Sequence, residues 1–354
     1  MSKYFVFTSY IFRKSRLNEL RSLCAFKILD NFNNVFIIEA GSGLVEKAKE
    51  ANPIFVYSIF EVGDAVELSK ERYLYGIESS VRKLAIDKDV PMKYECYDVN
   101  SKHEYSAKDI EVTVGSRLEN EGIKIDIENP MALAYSVLIN MKCYSGYSHA
   151  YGLMKLFLNP ERHYLKAYSG ISRAELKLHE ALDEFDIGRK KGIAIDLGAS
   201  PGGWSKVLYD KGFKVLAIDP ADLNYRKLDE CRVVVKKATD SKGAGEMLLK
   251  SESPVIIHIK SGTSKLHNLG ISGKACIVVN DMNIEATESA RSVLELKDSL
   301  AKDCILIMTV KCITKNADKY LSITKRTLEG DFRIQSCRVL PSNRQEITLF
   351  ARSI

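Results

Sequence analysis

The stretch DLGASPGGW, Asp196 to Trp204, sits between an apolar run at 192–195 and a helix-like stretch. Glycines and a proline clustered at a strand-to-helix turn present backbone to a ligand. Two phosphate-binding readings fail on spacing. A dinucleotide fingerprint needs G-x-G-x-x-G, whereas Gly198, Gly202 and Gly203 give G-x-x-x-G-G. A P-loop needs a lysine after its last glycine, and Trp204 stands there, so a triphosphate would lose its main charge partner. The acids that end successive apolar runs suit another ligand. Asp196 fits an amino or sulfonium group, Asp219 the hydroxyls of a ribose, and Asp240 an adenine amino group. Alone, each is at home as a solvated turn aspartate. A ribose, an adenine and a cationic amino-acid tail together describe S-adenosylmethionine, with Ala199, Ser200 and Pro201 completing the turn beneath it.

Three more runs carry polar residues where a doubly wound sheet places its site, outside the carboxyl ends of its strands. In CIVVNDMN a strand ends at Asp281, and in CILIMTVK another ends at Lys311. FRIQSCRVL and QEITLFA read as a hairpin whose second strand begins at Glu346. If that strand is antiparallel to the others, its start lies at their carboxyl edge, facing Asp281 and Lys311. The fourth member is Lys177 in SRAELKLHEALDEF, where Ser172 and Glu175 have capping-box spacing. Leu178, Ala181, Leu182 and Phe185 form the buried stripe of that helix, and Lys177 falls at its edge. By itself it reads as a solvated lysine. His149, His163, His258 and His267 lack ligand spacing, so no metal is expected.

These residues need a frame. At 354 residues the chain is long enough for two or three domains. No apolar run is long enough to span a bilayer, and SKYFVFTSY lacks the pattern of a secretory leader. Cysteines placed singly, without a CxxC pair, point to a reducing cytoplasm. A net charge of +6 leaves room for a polyanion. Residues 1–72 read as strand, helix (Ser15–Leu29), strand, helix, strand, and residues 73–155 as a second α+β domain. From 160 to 354 strands and helices alternate, with Asp196, Asp219 and Asp240 spaced as successive βα units. SPVIIHIK, inside a long 241–275 stretch, is left over as an extra strand or insertion.

The motifs SRAELKL, DLGASPGGW, NDMN, TVK and RQEITLFA resemble those of the FtsJ-type ribose 2′-O-methyltransferases. The resemblance implies a Rossmann-like S-adenosylmethionine-dependent α/β domain, its sheet mostly parallel with one antiparallel strand. It also implies a Lys-Asp-Lys-Glu catalytic tetrad, matched by Lys177, Asp281, Lys311 and Glu346. Within that family the chain is most similar to the bacterial 23S rRNA cytidine 2′-O-methyltransferases. That likeness implies a ferredoxin-like domain over 1–72 and a THUMP-like RNA-binding domain over 73–155, ahead of the catalytic domain. The implied partner is a structured RNA, rRNA or tRNA. On the tetrad chemistry Lys311 is expected to be the base, its pKa lowered by burial and by Lys177. Basic residues Arg13, Lys14, Arg16, Arg21, Arg82, Lys83, Lys155, Arg162, Lys166 and Arg173 and tyrosines 144, 147 and 151 are candidate RNA contacts. The alternative is an RNA-binding THUMP protein whose cofactor domain is non-catalytic or methylates a base. Amine methylation would call for [DN]PP[YF] at Asn280–Asn283, and base methylation through a cysteine would need more context than Cys312 has.

Overall fold

In a computed structural model the chain is described over residues 1–149, 168–188, 191–263, 268–312 and 316–354. Tyr151, Lys155, Arg162, His163, Lys166 and His267 lie outside the described residues. The chain forms two compact units, Met1–Pro160 and Glu161–Ile354. Among the described residues no helix is long and apolar enough to cross a membrane.

Unit 1 contains two sheets. The first comprises β1 (Ser2–Thr8), β2 (Phe26–Phe32), β3 (Val35–Ala40) and β4 (Val56–Val62). Its order is β2-β3-β1-β4 and every pair is antiparallel, with α1 (Arg13–Leu23) and α2 (Leu44–Ala51) as the connections after β1 and β3. This is the ferredoxin-like arrangement. The helix expected over Ser15–Leu29 stops at Leu23, and a strand takes its second half. Leu17, Leu20, Cys24 and Ile28 continue a helical spacing, but Cys24 is extended (φ −164°, ψ 159°) and Phe26 pairs with Ala40. The second sheet comprises β5 (Val66–Glu67), β6 (Met92–Asp98), β7 (Ala132–Ile139) and β8 (Lys142–His149), in the order β5-β8-β7-β6. Helices α3 (Tyr73–Val81) and α4 (Ala107–Asn120) cover one face of it. The two sheets share a core containing Phe5, Phe60, Tyr135 and Tyr144.

Several candidate RNA contacts in this unit are structural instead. Arg16 is 3% exposed; it donates to the carbonyls of Ser9 and Asn33 (2.9 Å for the latter) and lies over the Phe36 ring. Burying a guanidinium is tolerable here because its two terminal nitrogens are bonded, although Nε has no partner among the described residues. Tyr144 is buried in the shared core, and Tyr147 packs against the second sheet. Arg82, by contrast, stays on the surface, 49% exposed, and pairs there with Glu121 at 2.5 Å.

Unit 2 is built on one sheet: β9 (Ile193–Leu197), β10 (Lys214–Ile218), β11 (Val233–Lys237), β12 (Ile256–Lys260), β13 (Ala275–Asn280), β14 (Leu300–Lys311), β15 (Phe332–Arg338) and β16 (Glu346–Ser353). Among the described residues the order is β11-β12-β10-β9-β13-β14-β16-β15, and β16 alone runs against the rest. Helices α5 (Ala174–Glu184), α6 (Gly203–Asp210), α7 (Ser241–Lys250), α8 (Ala286–Leu294) and α9 (Ala317–Leu328) flank it. The succession of acids is therefore not what the spacing predicts. SPVIIHIK becomes β12 and lies beside β10, which pushes β11 to the edge.

Arg16→Met should cost about 2–3 kcal/mol of unit 1 stability, because the two carbonyls lose a charged donor, whereas Arg13→Ala should stay within about 0.5 kcal/mol. Urea unfolding of the full chain checks both; equal effects would return Arg16 to the surface set.

Candidate active site

The register of β14 and β16 sets the site. Lys311, the last residue of β14, stands directly opposite Glu346, the first of β16, so the antiparallel strand delivers its carboxylate to the carboxyl edge of the parallel ones. Asp281 follows β13, and its N–H donates to the Leu197 carbonyl at 3.2 Å, tying it to the end of β9. Lys177 projects from α5. The four side chains meet: Lys311 Nζ lies 2.7 Å from Asp281 Oδ1 and 2.8 Å from Glu346 Oε2, and Lys177 Nζ is 3.3 Å from Asp281 Oδ2 and also paired with Glu346. All four are at most 15% exposed. Two ammonium and two carboxylate groups neutralise one another, which is what lets four charges sit so deep.

The same geometry corrects the expected charge of Lys311. Burial works to lower its pKa, but Asp281 and Glu346 outweigh burial and raise it above the ordinary lysine value. Lys311 is therefore an ammonium at rest. Burial likewise works to raise Asp281, and Lys177 and Lys311 hold it below the usual carboxylate range.

Other residues of the cluster escaped the sequence reading. Thr309 Oγ1, 1% exposed, donates to Asp281 Oδ1 at 2.7 Å. It lies two residues before Lys311, so strand alternation alone could have placed it on the same face. Glu180, three residues after Lys177 on α5, accepts from the Ser342 N–H and hydroxyl at 2.9 and 2.6 Å. Glu184, four further on, pairs with Arg338 at 2.8 Å. One face of α5 is thus fastened to the β15–β16 connection, and that fastening holds Lys177 against Glu346. The capping box at the start of α5 is only half made. Glu175 accepts from the N–H groups of Ser172 and Ser169, but Arg173 is the N-cap residue and the Ser172 hydroxyl is buried without a partner among the described residues.

The glycine turn abuts this cluster. Gly198 has φ +75°, and a Cβ there would lie 2.8–3.0 Å from Met282 Cγ, Cα and N. At Gly203 a Cβ would meet Ser172 and Glu175. The turn is glycine-rich first because its own protein crowds it. Ala199 is buried, Pro201 accepts from the Asn224 N–H at 2.7 Å, and Ser200 Oγ donates to the Asp222 carbonyl at 2.9 Å. Trp204 is a core residue; its indole N–H donates to the Ala174 carbonyl, so only its backbone faces the start of α6. Gly202 caps that helix, whose first N–H groups have no intrahelical acceptor.

The three acids differ. Asp196 is 1% exposed; Oδ2 accepts from Ser205, while Oδ1 has no partner among the described residues. Burial pushes its pKa up to about 7, with Asp281 and Asp219 adding to the rise and Ser205 opposing it. Asp219 accepts from the N–H groups of Ser200 and Ala221 at 3.0 and 2.8 Å, which leaves each oxygen one lone pair. Asp240 does not join them. It follows the edge strand β11, beyond β12, and is paired with Lys236 at 2.7 Å. Cys312 is buried, and its thiol is pushed up to about 12 by burial and by Glu346, which makes it no nucleophile.

Fold and site define a Rossmann-like α/β domain whose glycine turn, at the carboxyl edge of the sheet, abuts a paired lysine–carboxylate cluster. Residues 171–327, within unit 2, match the FtsJ-like methyltransferase family. Ribosomal RNA large subunit methyltransferase M of Shewanella amazonensis is 29% identical over 220 residues, 58% of this chain and 60% of that protein. Its counterpart in Salmonella paratyphi B is 28% identical over 208 residues, 55% of this chain and 56% of its own length. The match thus spans less than two thirds of these relatives. The TrmN structure from Thermus thermophilus aligns over 99% of this chain and 100% of its own at 14% identity and a TM-score of 0.40, too loose a likeness to carry an argument.

Two outcomes follow from this packing. Gly198→Ala should lower stability by about 2–4 kcal/mol, since strain and the Met282 contact add, whereas Gly212→Ala should cost about 1 kcal/mol for backbone strain only. Gly212 also has positive φ, but open space around it. Thermal unfolding of the two variants decides; equal costs would mean that Met282 yields freely. The second concerns Asp196, whose native proton is held up to about pH 7 and whose unfolded carboxyl loses it near pH ~4. Between those values the native state holds the extra proton, so its stabilising effect is complete below pH ~4 and lost as pH rises through about 7. The stability of the ligand-free protein relative to Asp196→Asn should decline across that window and level off above it. A difference independent of pH would show a carboxylate ionised throughout.

Proposed function

We propose that unit 2 transfers a methyl group from S-adenosylmethionine to a ribose 2′-hydroxyl of a structured RNA, rRNA or tRNA, in the cytoplasm. Residues 160–354 would form the catalytic domain, and 1–72 and 73–155 the ferredoxin-like and THUMP-like RNA-binding parts. The observation that carries this reading is the convergence of Lys177, Asp281, Lys311 and Glu346 from four elements, against a glycine turn.

The residues present fit the cofactor. Asp196 Oδ1, buried and unpartnered among the described residues, suits a cationic amino-acid tail, which would also ionise it. Asp219 has lone pairs for a ribose diol, and the first turn of α6 offers N–H groups. Asp240 is left out of this set, since β12 separates it from Asp219. Bound S-adenosylmethionine supplies a methyl group on a sulfonium, which departs as a neutral thioether and whose positive charge disfavours the ammonium form of a nearby lysine.

Lys311 must shed its resting proton before it can take one from the hydroxyl. As a neutral amine it would accept the proton that the 2′-hydroxyl gives up on methylation. Asp281 and Glu346 then hold the ammonium that forms, at the distances they hold it now. Lys177 keeps both carboxylates in place and bears part of their charge. Because Lys311 starts protonated, the rate should still be rising with pH at about pH 9.

Total RNA from a strain lacking the gene, incubated with the protein and labelled cofactor and digested to nucleosides, tests the whole reading. Label is expected on a 2′-O-methylnucleoside, in one RNA size class. Lys311→Ala should lose about 10²–10⁴ of the rate, with S-adenosylhomocysteine affinity unchanged. Label on a base would overturn the role of the four residues, and full activity of Lys311→Ala would remove Lys311 as base. Cofactor binding without label would leave an RNA-binding protein.

A further inference from the structure

A histidine stands fully buried in the middle of β12, the strand interposed beside β10. His258 is 0% exposed, opposite Ala217 of β10 on one side and Val235 of β11 on the other. Its neighbours along the strand are isoleucines, as a strand covered on both faces requires. A polar ring there is costly unless both nitrogens are bonded, and both are. Nε2 lies 3.1 Å from the Asp219 carbonyl and Nδ1 lies 2.8 Å from the Tyr225 hydroxyl. A carbonyl only accepts, so Nε2 carries the proton. Burial pushes the ring pKa down, so it is neutral, and Nδ1 accepts the one hydroxyl proton of Tyr225 at 2.8 Å in preference to the more distant Asp222 Oδ1 at 3.2 Å.

Those two bonds reach both walls of the cofactor cleft. On one side Asp219 is clamped at its main chain: its carbonyl is held by His258 and its N–H by the Ile259 carbonyl at 3.3 Å. That clamp sets where its carboxylate meets the Ser200 and Ala221 N–H groups. On the other side, Tyr225 opens the short 3₁₀ turn Tyr225–Leu228. Leu223 and Leu228 of this segment lie against Gly202, and Asn224 holds the Pro201 carbonyl. Asp222, near the Tyr225 hydroxyl at 3.2 Å, is paired with Lys260 of β12 at 2.7 Å. The strand therefore fixes the diol-binding acid and the lip of the glycine turn through one imidazole and one ion pair.

We propose that His258 is a positioning residue for the adenosine half of the cofactor, acting through Asp219 and Tyr225, so that the interposed strand β12 is a working part of the cofactor site. This rests on the reading of Asp219 as the acid facing the ribose. It assigns His258 no contact with the reacting atoms, so its loss should appear in cofactor affinity and KM rather than in kcat.

The test compares His258→Leu, His258→Gln and Tyr225→Phe with the wild-type chain. Calorimetric titration with S-adenosylhomocysteine should show His258→Leu weakened about tenfold or more and Tyr225→Phe by a few-fold. His258→Gln keeps an N–H near the Nε2 position and should recover most of the affinity. kcat at saturating cofactor should change by less than about threefold in any variant that folds, because no transition-state contact is removed. The ¹⁵N spectrum of the wild-type imidazole should show the Nε2–H tautomer at neutral pH. The amide resonances of Ser200 and Ala221 should move in His258→Leu and stay in place in His258→Gln. Equal effects of Leu and Gln on affinity and on those amides would reduce His258 to a core residue and overturn the proposal, as would wild-type affinity in His258→Leu. If the wild-type chain binds no S-adenosylhomocysteine, the cofactor reading fails. The tautomer and the two amides then still decide whether His258 positions Asp219.

Discussion

Four charges buried together constrain unit 2 more than any other feature. An isolated ammonium or carboxylate at this depth would change its protonation state or draw in water, and removing one partner of a buried pair costs about 3–5 kcal/mol. Here every charge has two opposite neighbours, so none can be moved alone. The helix that brings Lys177 must sit within reach of β16, and Glu180 and Glu184 hold it there by the connection before that strand. Asp281 must keep one rotamer, and the Thr309 hydroxyl occupies part of Oδ1 to that end. Asn343 braces the start of β16 by donating to the Glu346 carbonyl and to Thr348.

The single antiparallel strand follows from the same requirement. A parallel strand presents its last residues at the site edge, and those positions on β13 and β14 already lead to Asp281 and hold Lys311. A carboxylate opposite Lys311 at the same height is most simply supplied by the first residue of a strand running the other way. The β15–β16 hairpin does this, and its register leaves no slack, since a slip of one residue would turn Glu346 to the other face.

Much of unit 2 was legible because its chemistry sits in short linear motifs. DLGASPGGW, NDMN and TVK place their polar residues at strand ends, and the antiparallel hairpin could be argued from RQEITLFA. The charge of Lys311 could not be read that way. Sequence supplies burial and a neighbouring lysine, both of which lower the pKa, but only the distances of 2.7 and 2.8 Å show that two carboxylates win. In unit 1 the helix read through Leu29 failed because β2 is an edge strand of mixed exposure, without the alternation that would mark it. Arg16 failed because composition does not tell a phosphate contact from a buried donor.

The strand order was available to a stricter argument. Of the two segments competing for the place beside β10, one reads VVVKK and the other IIHIK. An interior strand of a parallel sheet is covered on both faces, so its residues must be apolar or fully hydrogen-bonded. Lys236 and Lys237 cannot meet that condition at successive positions, because they point to opposite faces. An edge position leaves both in reach of water, and lysines there also discourage pairing with another chain. IIHI meets the condition, provided the imidazole finds a partner on each side. Asp219 and Tyr225 are those partners, so the demand that buries His258 is also what ties the interposed strand to the end of β10 and to the 3₁₀ turn at Tyr225.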